Sequence, residues 1–175
     1  MYITSVKLIA YSIILSATIC VAQAQSLRSE INSANGKIAN AMLKKDFTSL
    51  TKMMKAAVTP DFKYYETGEK GAPQSVDTMI SNMKTGISAM SKVTVSTAKL
   101  LTLKEKGATA TSTTEYKMGG IIMGPDKKTH KMMSVGVSDD SYVKVKGKWL
   151  LSKMVFKTNS MTMDGKPMDM SKMHG

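Results

Sequence analysis

The chain has 175 residues, of which 42% are apolar and 22% are charged. This composition is close to that of an average globular protein, which excludes a chain that is disordered throughout. The length corresponds to one domain, which at this size folds without needing a disulfide or a structural metal. The single cysteine is Cys20, so composition gives little support to a catalytic thiol.

The first 24 residues have the pattern of a secretory signal peptide. Lys7 is the only charge before an apolar run of about 14 residues, and Ala22-Gln23-Ala24 then supplies the small-x-small pattern of a cleavage site. A membrane-spanning helix needs about 20 apolar residues, which favours a cleaved signal over a retained anchor. We therefore expect cleavage after Ala24, export to the periplasm or the medium, and no stable membrane insertion.

The net charge of +12 comes almost entirely from lysine, because Arg28 is the only arginine. Base recognition favours the bidentate arginine fork. The lysines are dispersed, with no run longer than two. The charge therefore indicates a solvated surface that attracts anionic surfaces loosely, and no nucleic-acid partner is expected.

Three amphipathic helices are predicted before residue 92, because apolar residues recur there every three or four positions. Asp46 and Ser75 are expected to cap the second and third helices, and Asp77 suits the positive end of the third helix dipole. Thr59-Pro60 is expected to end the second helix. The three apolar stripes are Leu27, Ile31, Ala34, Ile38 and Ala41; Phe47, Leu50, Met53, Met54 and Ala57; and Val76, Met79, Ile80, Met83, Ile87 and Met90.

Other segments alternate with the period of two that is typical of strands. A short aromatic strand, Phe62 to Glu66, separates the second and third helices, and five strands are expected after Lys92, the first of them with Val93, Val95, Leu101 and Leu103 on one face. Asp139-Asp140 is interpreted as a bend between two of them, and Lys146-Gly147-Lys148 as a hairpin turn. The order α-α-β-α-β-β-β-β-β favours an α+β fold.

The strand that contains His130 has two chemically different faces. We expect its apolar face to point to the core, and His130, on the serine face, to lie on the convex or dimer side. No acid is spaced around His130 as in a catalytic triad, so a hydrolase is not favoured. The apolar face is Met133, Val135 and Val137, and the other is Ser134, Gly136 and Ser138.

Four features carry a resemblance to a known family: KKDFTSLTKMM, TPDFKYYETGEKG with the SVDTMISNM helix, the Thr-rich strand pair, and the terminal hairpin DSYVKVKGKWLL. They resemble the SnoaL-like exported branch of the nuclear transport factor 2-like superfamily. The resemblance implies a cone-shaped α+β fold, with N-terminal helices packed on a strongly curved antiparallel sheet and a pocket between them. It also implies homodimerisation through the sheet. We assign a signal peptide to 1–24, a SnoaL-like domain to 25–160 and a Met-rich tail to 161–175.

The superfamily includes ketosteroid isomerases, polyketide cyclases, dehydratases and non-catalytic binding domains, so the fold does not fix the function. In the isomerase branch a carboxylate on the strand after the second helix is the base, and Glu66 is the matching position; the alternative is a solvated strand-end carboxylate. The tyrosine and aspartate partners of that branch have no match, because the first helix lacks tyrosine and the strands between Ala108 and Val137 offer only Glu115. The absence of these tyrosine and aspartate partners favours a binding protein over an enzyme.

Candidate lining residues for a ligand pocket are Tyr64, Tyr116, Met118 and Trp149, for which ordinary packing is the alternative role. The function favoured by the sequence is binding of a small, mostly apolar molecule in the cone, without a cofactor. The alternatives are an isomerase or cyclase with Glu66 as base, and a periplasmic Cu(I)-binding protein, because thioethers are soft ligands. The candidate metal ligands of the tail are Met168, Met170, Met173 and His174.

Overall fold

A computed structural model describes residues 27–66, 71–124 and 126–168. The predicted signal peptide and the tail residues Met170, Met173 and His174 lie outside the described residues. The chain order is α1 (27–43), α2 (Phe47–Ala57), β1 (Val58–Tyr65), α3 (Val76–Ala89), β2 (Met90–Lys106), β3 (Thr109–Met123), β4 (Thr129–Val145), β5 (Lys148–Met163) and β6 (Lys166–Pro167).

Local capping chemistry sets the starts of α2 and α3, as predicted. The carboxylate of Asp46 accepts a hydrogen bond of 3.0 Å from the Ser49 amide, and the Ser75 hydroxyl accepts one of 3.2 Å from the Thr78 amide. Asp77 in the first turn of α3 also forms an ion pair of 2.6 Å with Lys55 of α2. The two caps satisfy amide groups that a helix start otherwise leaves unpaired.

The strand β1 begins earlier than predicted. The chain passes directly from Ala57 at the end of α2 into β1, so Pro60 lies inside the strand. Proline is tolerated there because β1 is an edge strand and its pairing with β5 is interrupted between Val58 and Lys63.

The six strands form one sheet in the order β1-β5-β4-β3-β2, with β6 paired to β5. The pairing is antiparallel except between β1 and β5, so the sheet is mixed and not wholly antiparallel. β2, β3, β4 and β5 have 15 to 17 residues each, and register shifts interrupt the β2–β3 and β4–β5 ladders. Such bulges increase the local twist and bend long strands, which gives the sheet the curvature of a cone-shaped fold.

Two predicted boundaries differ from the structure. The proposed bend at Asp139-Asp140 is the middle of the continuous strand β4, because both side chains bond to hydroxyls of β3. The segment after residue 160 continues β5 to Met163, turns at Asp164-Gly165 and returns as β6. The sheet therefore extends beyond the boundary at residue 160.

The helices cover one face of the sheet, which we call the inner face; the opposite one is the outer face. The main core cluster joins α2, α3 and β1 to the sheet, and a second cluster lies under the start of α1. Among the described helices, none combines the length and apolar character that crossing a bilayer requires. The second cluster contains Leu27, Ile31, Leu100 and Ala110, with Leu103, Tyr142 and Trp149 packed against it.

The predicted faces of β2 and β4 are corrected by the structure. In β2, a register shift after Leu100 leaves Leu100 9% exposed and Leu101 45% exposed, so Leu101 does not share the buried face of Leu103. In β4 the serine side is the inner one: Ser138 is fully buried, whereas Val135 and Val137 lie half-buried on the outer face. Polar side chains thus occupy part of the interior.

Candidate functional site

Four small or acidic polar side chains lie side by side on the inner face, in the middle of β3 and β4. Ser112 pairs with Asp140, and Thr114 pairs with Ser138, in the antiparallel register of the two strands. All four are buried, with 0 to 4% exposure. We call this set the polar band.

Asp140 is the centre of the polar band. The hydroxyls of Ser112 and Thr114 each donate a hydrogen bond of 3.2 Å to its Oδ2 atom. Its Oδ1 atom and the Ser138 Oγ atom are buried and have no hydrogen-bond partner within the described part of the chain. A buried polar atom without a partner costs about 1–3 kcal/mol, so a hydrogen-bond donor that reached Asp140 Oδ1 would stabilise the folded protein.

The carboxyl of Asp140 is also electrostatically unusual. Burial raises its pKa from 3.8 to about 6, although the nearby hydroxyls of Ser138, Ser112 and Thr114 lower it. The Ser138 hydroxyl lies near the carboxyl without the geometry of a hydrogen bond. A carboxyl that titrates near neutrality can act as a proton acceptor or a proton donor at ordinary pH.

Aromatic and thioether side chains flank the polar band. Tyr116 lies on the inner face, with its ring centroid 6.0 Å from that of Phe156 in an edge-to-face arrangement. Burial raises the pKa of Tyr116 and of Tyr142 above the ordinary value, and the nearby Asp140 charge adds to the effect. Met154 pairs with Asp140 on the other side. The polar band is therefore a small polar patch in an apolar interior with neutral phenols.

The four predicted lining residues all belong to the inner side of the sheet. Tyr64 is buried in the main cluster and pairs with Met154, which places it in the same cross-strand row as Asp140. Met118 packs against the main cluster and Trp149 against the second one, with the Lys144 ammonium 5.5 Å from the Trp149 ring. The structure thus places Tyr64 and Tyr116 nearest to the polar band.

Glu66 lies outside the polar band. It follows the last residue of β1, is exposed, and accepts a hydrogen bond of 3.4 Å from the Gln74 amide. Its surroundings do not supply the apolar environment that the predicted base requires. Its catalytic role remains a prediction.

His130 has acidic neighbours that sequence spacing did not indicate. Its Nδ1 atom is 2.7 Å from Asp164 Oδ2, and its Nε2 atom is 3.1 Å from Asp126 Oδ1. The two carboxylates raise the pKa of His130, and the histidine in turn lowers the pKa of each. This cluster ties the β3–β4 connection to the β5–β6 turn.

No group of three or more His, Cys, Asp or Glu residues within the described ranges is arranged to hold a metal ion. Of the predicted thioether and histidine ligands, the described one is Met168, whose amide donates a hydrogen bond of 2.9 Å to the Met161 carbonyl. That contact places Met168 beside the end of β5.

Two cavities stand out along the described chain, and neither is lined by Tyr64, Tyr116, Met118 or Trp149. The smaller, of about 260 Å³, is lined by Thr102, Lys104, Thr111, Ser112, Thr113, Asp139, Asp140, Ser141, Lys153 and Val155. The larger, of about 550 Å³, lies between α1 and α2 and is lined by Ser29, Glu30, Ser33, Ala34, Lys37, Ile38, Met53, Ala56 and Ala57. The smaller cavity therefore adjoins the polar band at Ser112 and Asp140.

The sequence does not point to Asp140, because two adjacent aspartates in a polar stretch are typical of a bend. One signal could have revealed it. Ser134, Ser138 and Asp140 alternate along β4 with valines, and the facing strand β3 is equally rich in small hydroxyl residues. Two facing strands with hydroxyl groups on one side predict a buried polar patch as well as they predict a solvated face.

The curved mixed sheet with three helices on its inner face is the cone-shaped nuclear transport factor 2-like fold. No protein-family model matches the sequence, and no curated protein matches it. The fold assignment rests on structural similarity, at sequence identities of 16% or less in the comparisons that follow.

Solved structures with this fold cover most of the chain. A Kribbella flavida protein, Kfla4162, has a TM-score of 0.60 and 16% identity, over 79% of this chain and 95% of its own. The hexachlorocyclohexane dehydrochlorinase LinA-type3 of Novosphingobium barchaimii has a TM-score of 0.59 and 13% identity, over 83% and 92%. A nuclear transport factor 2-like superfamily protein of Salmonella enterica has a TM-score of 0.56 and 14% identity, over 77% and 92%.

Proposed function

We propose that this protein binds a small, mostly apolar molecule between the helices and the inner face, with the polar group of the molecule directed to Asp140. The unpartnered Oδ1 atom of Asp140 carries the proposal, because it is a buried polar atom that lacks the partner that folded proteins normally supply. Met118 and Met154 in the adjoining cluster support it, since flexible thioethers repack easily around a ligand.

Ligand-dependent stabilisation tests this proposal. The melting temperature of the chain without residues 1–24 is measured with a panel of small apolar molecules that each carry one polar group. We expect saturable increases with some of them, because a ligand that binds only the folded state stabilises it. The variant D140N should weaken that binding, whereas D139N, the same change on the outer face, should leave it intact. Absence of saturable binding, or equal effects of the two variants, would overturn the proposal.

An acid–base enzyme is the second candidate. It is supported by the raised pKa of Asp140 and by the dehydrochlorinase among the similar structures. The probes are chloride release from hexachlorocyclohexane and isomerisation of a β,γ-unsaturated ketone. If D140N abolishes turnover and E66Q retains it, the proton transfer is assigned to Asp140. If E66Q abolishes turnover and D140N retains it, the transfer is assigned to Glu66. No turnover of either probe counts against both assignments and leaves the binding function.

A homodimer formed through the outer face is part of the proposal. Met133, Val135 and Val137 make a half-exposed apolar stripe along β4 on that face, and exposed apolar stripes favour association. Light scattering after size-exclusion chromatography should give twice the monomer mass, and V137K should give the monomer. A wild-type monomer at all concentrations would contradict this arrangement.

Export is the proposed location, with the signal peptide cleaved after Ala24. Expression of the full chain in a Gram-negative host, followed by fractionation and N-terminal sequencing, tests it. A product in the periplasm that begins at Gln25 agrees with the proposal, and a cytoplasmic product that retains residue 1 contradicts it.

Cu(I) binding by the Met-rich tail is the remaining alternative. Because residues 161–163 belong to β5 and residues 166–167 to β6, removal of residues 169–175 is the truncation that spares the sheet. Cu(I) is titrated into the mature chain with and without those seven residues, and into M168L. Equal affinities of all three proteins would eliminate the alternative.

A further inference from the structure

The smaller cavity lies on the outer face of the sheet, opposite the side on which we propose apolar binding. Eight of its lining residues form two neighbouring cross-strand rows from β2 to β5, and Ser112 and Asp140 lie between those rows. Asp139 is exposed and alternates with the buried Asp140, which identifies the side of the cavity. The first row is Lys104, Thr111, Ser141 and Lys153, and the second row is Thr102, Thr113, Asp139 and Val155.

The first row combines positive charge with hydroxyl groups and contains no acid. Thr111 and Ser141 occupy its middle, with Lys104 at one end and Lys153 at the other. The two ends are three strand spacings, about 14 Å, apart, so the lysines flank the hydroxyls without facing each other closely. Among the described residues Lys104 forms no ion pair, and the Lys153 ammonium lies 5.6 Å from the Tyr65 ring centroid. This row therefore suits an anionic group that accepts hydrogen bonds from the two hydroxyls.

The second row has the opposite charge. The hydroxyl of Thr113 donates a hydrogen bond of 3.1 Å to Asp139 Oδ1, and the row contains no lysine or arginine. Val155 pairs with Asp139 and is buried, so an apolar surface adjoins the carboxylate. Successive residues on one face of a strand are about 7 Å apart, which is the separation of the two rows. The cavity thus places a positive row beside a single negative charge.

We propose that this cavity binds a small zwitterion whose carboxylate and ammonium groups are separated by a short carbon chain, as in an ω-amino acid. The carboxylate accepts hydrogen bonds from Thr111 and Ser141 and pairs with Lys104, while Lys153 adds positive charge from the far end of the row. The ammonium group donates to Asp139, and the carbon chain packs on Val155. The volume of about 260 Å³ suits a molecule of this size. This site is independent of the apolar binding proposed above.

Other small ligands match the two rows less well. A simple anion meets the Asp139 carboxylate, and a simple amine meets Lys104 and Lys153. An α-amino acid has its two charges separated by one carbon atom, so it does not span two rows as an extended chain does. The apolar stripe proposed for dimerisation ends at Val137, one row before Asp139, so the cavity lies beyond that stripe.

Nuclear magnetic resonance titration of the ¹⁵N-labelled mature chain with 4-aminobutyrate, butyrate and butylamine tests the inference. We expect saturable shifts of the Thr111, Thr113 and Ser141 amides with 4-aminobutyrate. Butyrate and butylamine, which each lack one charged group, should bind about 3- to 10-fold more weakly, because a partly exposed ion pair contributes modestly to affinity.

Charge-removing variants test the role of each row. K104Q and D139N should each weaken binding of 4-aminobutyrate about 3- to 10-fold, and D139N should also remove its advantage over butyrate. The matched controls are K99Q and E115Q, which make the same kinds of change on the outer face outside the cavity. Both controls should bind 4-aminobutyrate as wild type does.

Three results would overturn the inference. The first is the lack of saturable shifts at these amides with 4-aminobutyrate. The second is equal affinity for butyrate and 4-aminobutyrate, since Asp139 would then not recognise an ammonium group. The third is an equal loss of affinity in K99Q and K104Q, which would show a general attraction to surface lysines. The apolar binding function is measured with other ligands, so it stands or falls separately.

Discussion

The ring of Phe156 lies directly over Gly136, so that a Cβ atom at position 136 would clash with Phe156 Cζ. The two residues belong to the adjacent strands β5 and β4, and Tyr116 packs against the edge of the same ring. The absence of a side chain at Gly136 is therefore what allows an aromatic pair to close the interior next to the polar band.

Replacement of Gly136 by alanine should destabilise the protein. The added methyl group forces the Phe156 ring or the β4 backbone to move, and overpacking of this kind costs about 1–3 kcal/mol. The midpoint of urea unfolding measures the change. G86A is the matched control, because a Cβ at Gly86 in α3 meets nothing within 4 Å; it should stabilise the protein by up to about 1 kcal/mol. A stable G136A protein would show that this contact is not tight.

Removal of the Ser75 hydroxyl should weaken the start of α3. Its hydrogen bond to the Thr78 amide is lost in S75A, and loss of a helix N-cap costs about 1 kcal/mol. Ser81, exposed within the same helix, provides the control, because S81A makes the same chemical change without removing a cap. Thermal unfolding followed by circular dichroism should separate the two variants, and equal melting temperatures would contradict the capping role.

The features that could be predicted from sequence are those fixed by local interactions. The caps at Asp46 and Ser75 and the apolar stripe around Leu50 and Met54 depend on residues at most four positions apart, and the structure confirms them. The order of elements follows from the same local periods. The resemblance to the nuclear transport factor 2-like superfamily then supplied the arrangement of layers.

The predictions that failed concern features that depend on contacts between residues far apart in the sequence. A bulge after Leu100 reverses the alternation that placed Leu101 inside, and nothing local to β2 encodes it. Asp140 is accommodated in the middle of a strand because Ser112 and Thr114, 28 and 26 residues away, donate to it. The inner face of β4 could not be chosen by hydrophobicity, because the polar side is buried there.

The His130 cluster should stabilise the protein in acid to neutral solution and less so in alkaline solution. Hydrogen bonds to Asp164 and Asp126 raise the pKa of His130 above 6.5, so its stabilising contribution is complete below that pH and is lost as the pH rises through the folded-state value. The melting temperature of H130Q should therefore differ most from wild type between pH 3.8 and 6.5, and least above the raised folded-state pKa of His130. High salt should reduce the difference, since these groups are near the surface.

The carboxylates of that cluster act in a separate pH range. Hydrogen bonding with His130 lowers the pKa of Asp126 and Asp164 below 3.8, so their contribution is lost only as the pH falls below that value. D126N removes one of the two acceptors and should give part of the H130Q effect. Identical pH profiles for H130Q and wild type would show that the cluster does not contribute to stability.

Asp140 should change stability with pH in the direction opposite to Asp126 and Asp164, because its pKa is raised and theirs are lowered. Burial raises its folded-state pKa from 3.8 to about 6, so the folded protein holds this proton more tightly than the unfolded chain. Stability should therefore fall as the pH rises from about 4 to 6 and then level off. A shift of this size corresponds to about 3 kcal/mol at neutral pH, and solvent does not screen it because Asp140 is 2% exposed.

The variant D140N lacks this titration, so the difference in unfolding free energy between it and wild type should change by about 3 kcal/mol across that interval. Any cost of the amide itself is independent of pH and cancels in the comparison. D139N is the matched control, because Asp139 is exposed on the outer face and bonds to Thr113; it should keep most of the wild-type fall in stability, reduced by the small part of the Asp140 pKa shift that the Asp139 charge supplies. Urea unfolding at pH values through this interval measures all three proteins. If D140N runs parallel to wild type, Asp140 is ionised in the folded protein without penalty, and the unpartnered oxygen is already satisfied by bound water.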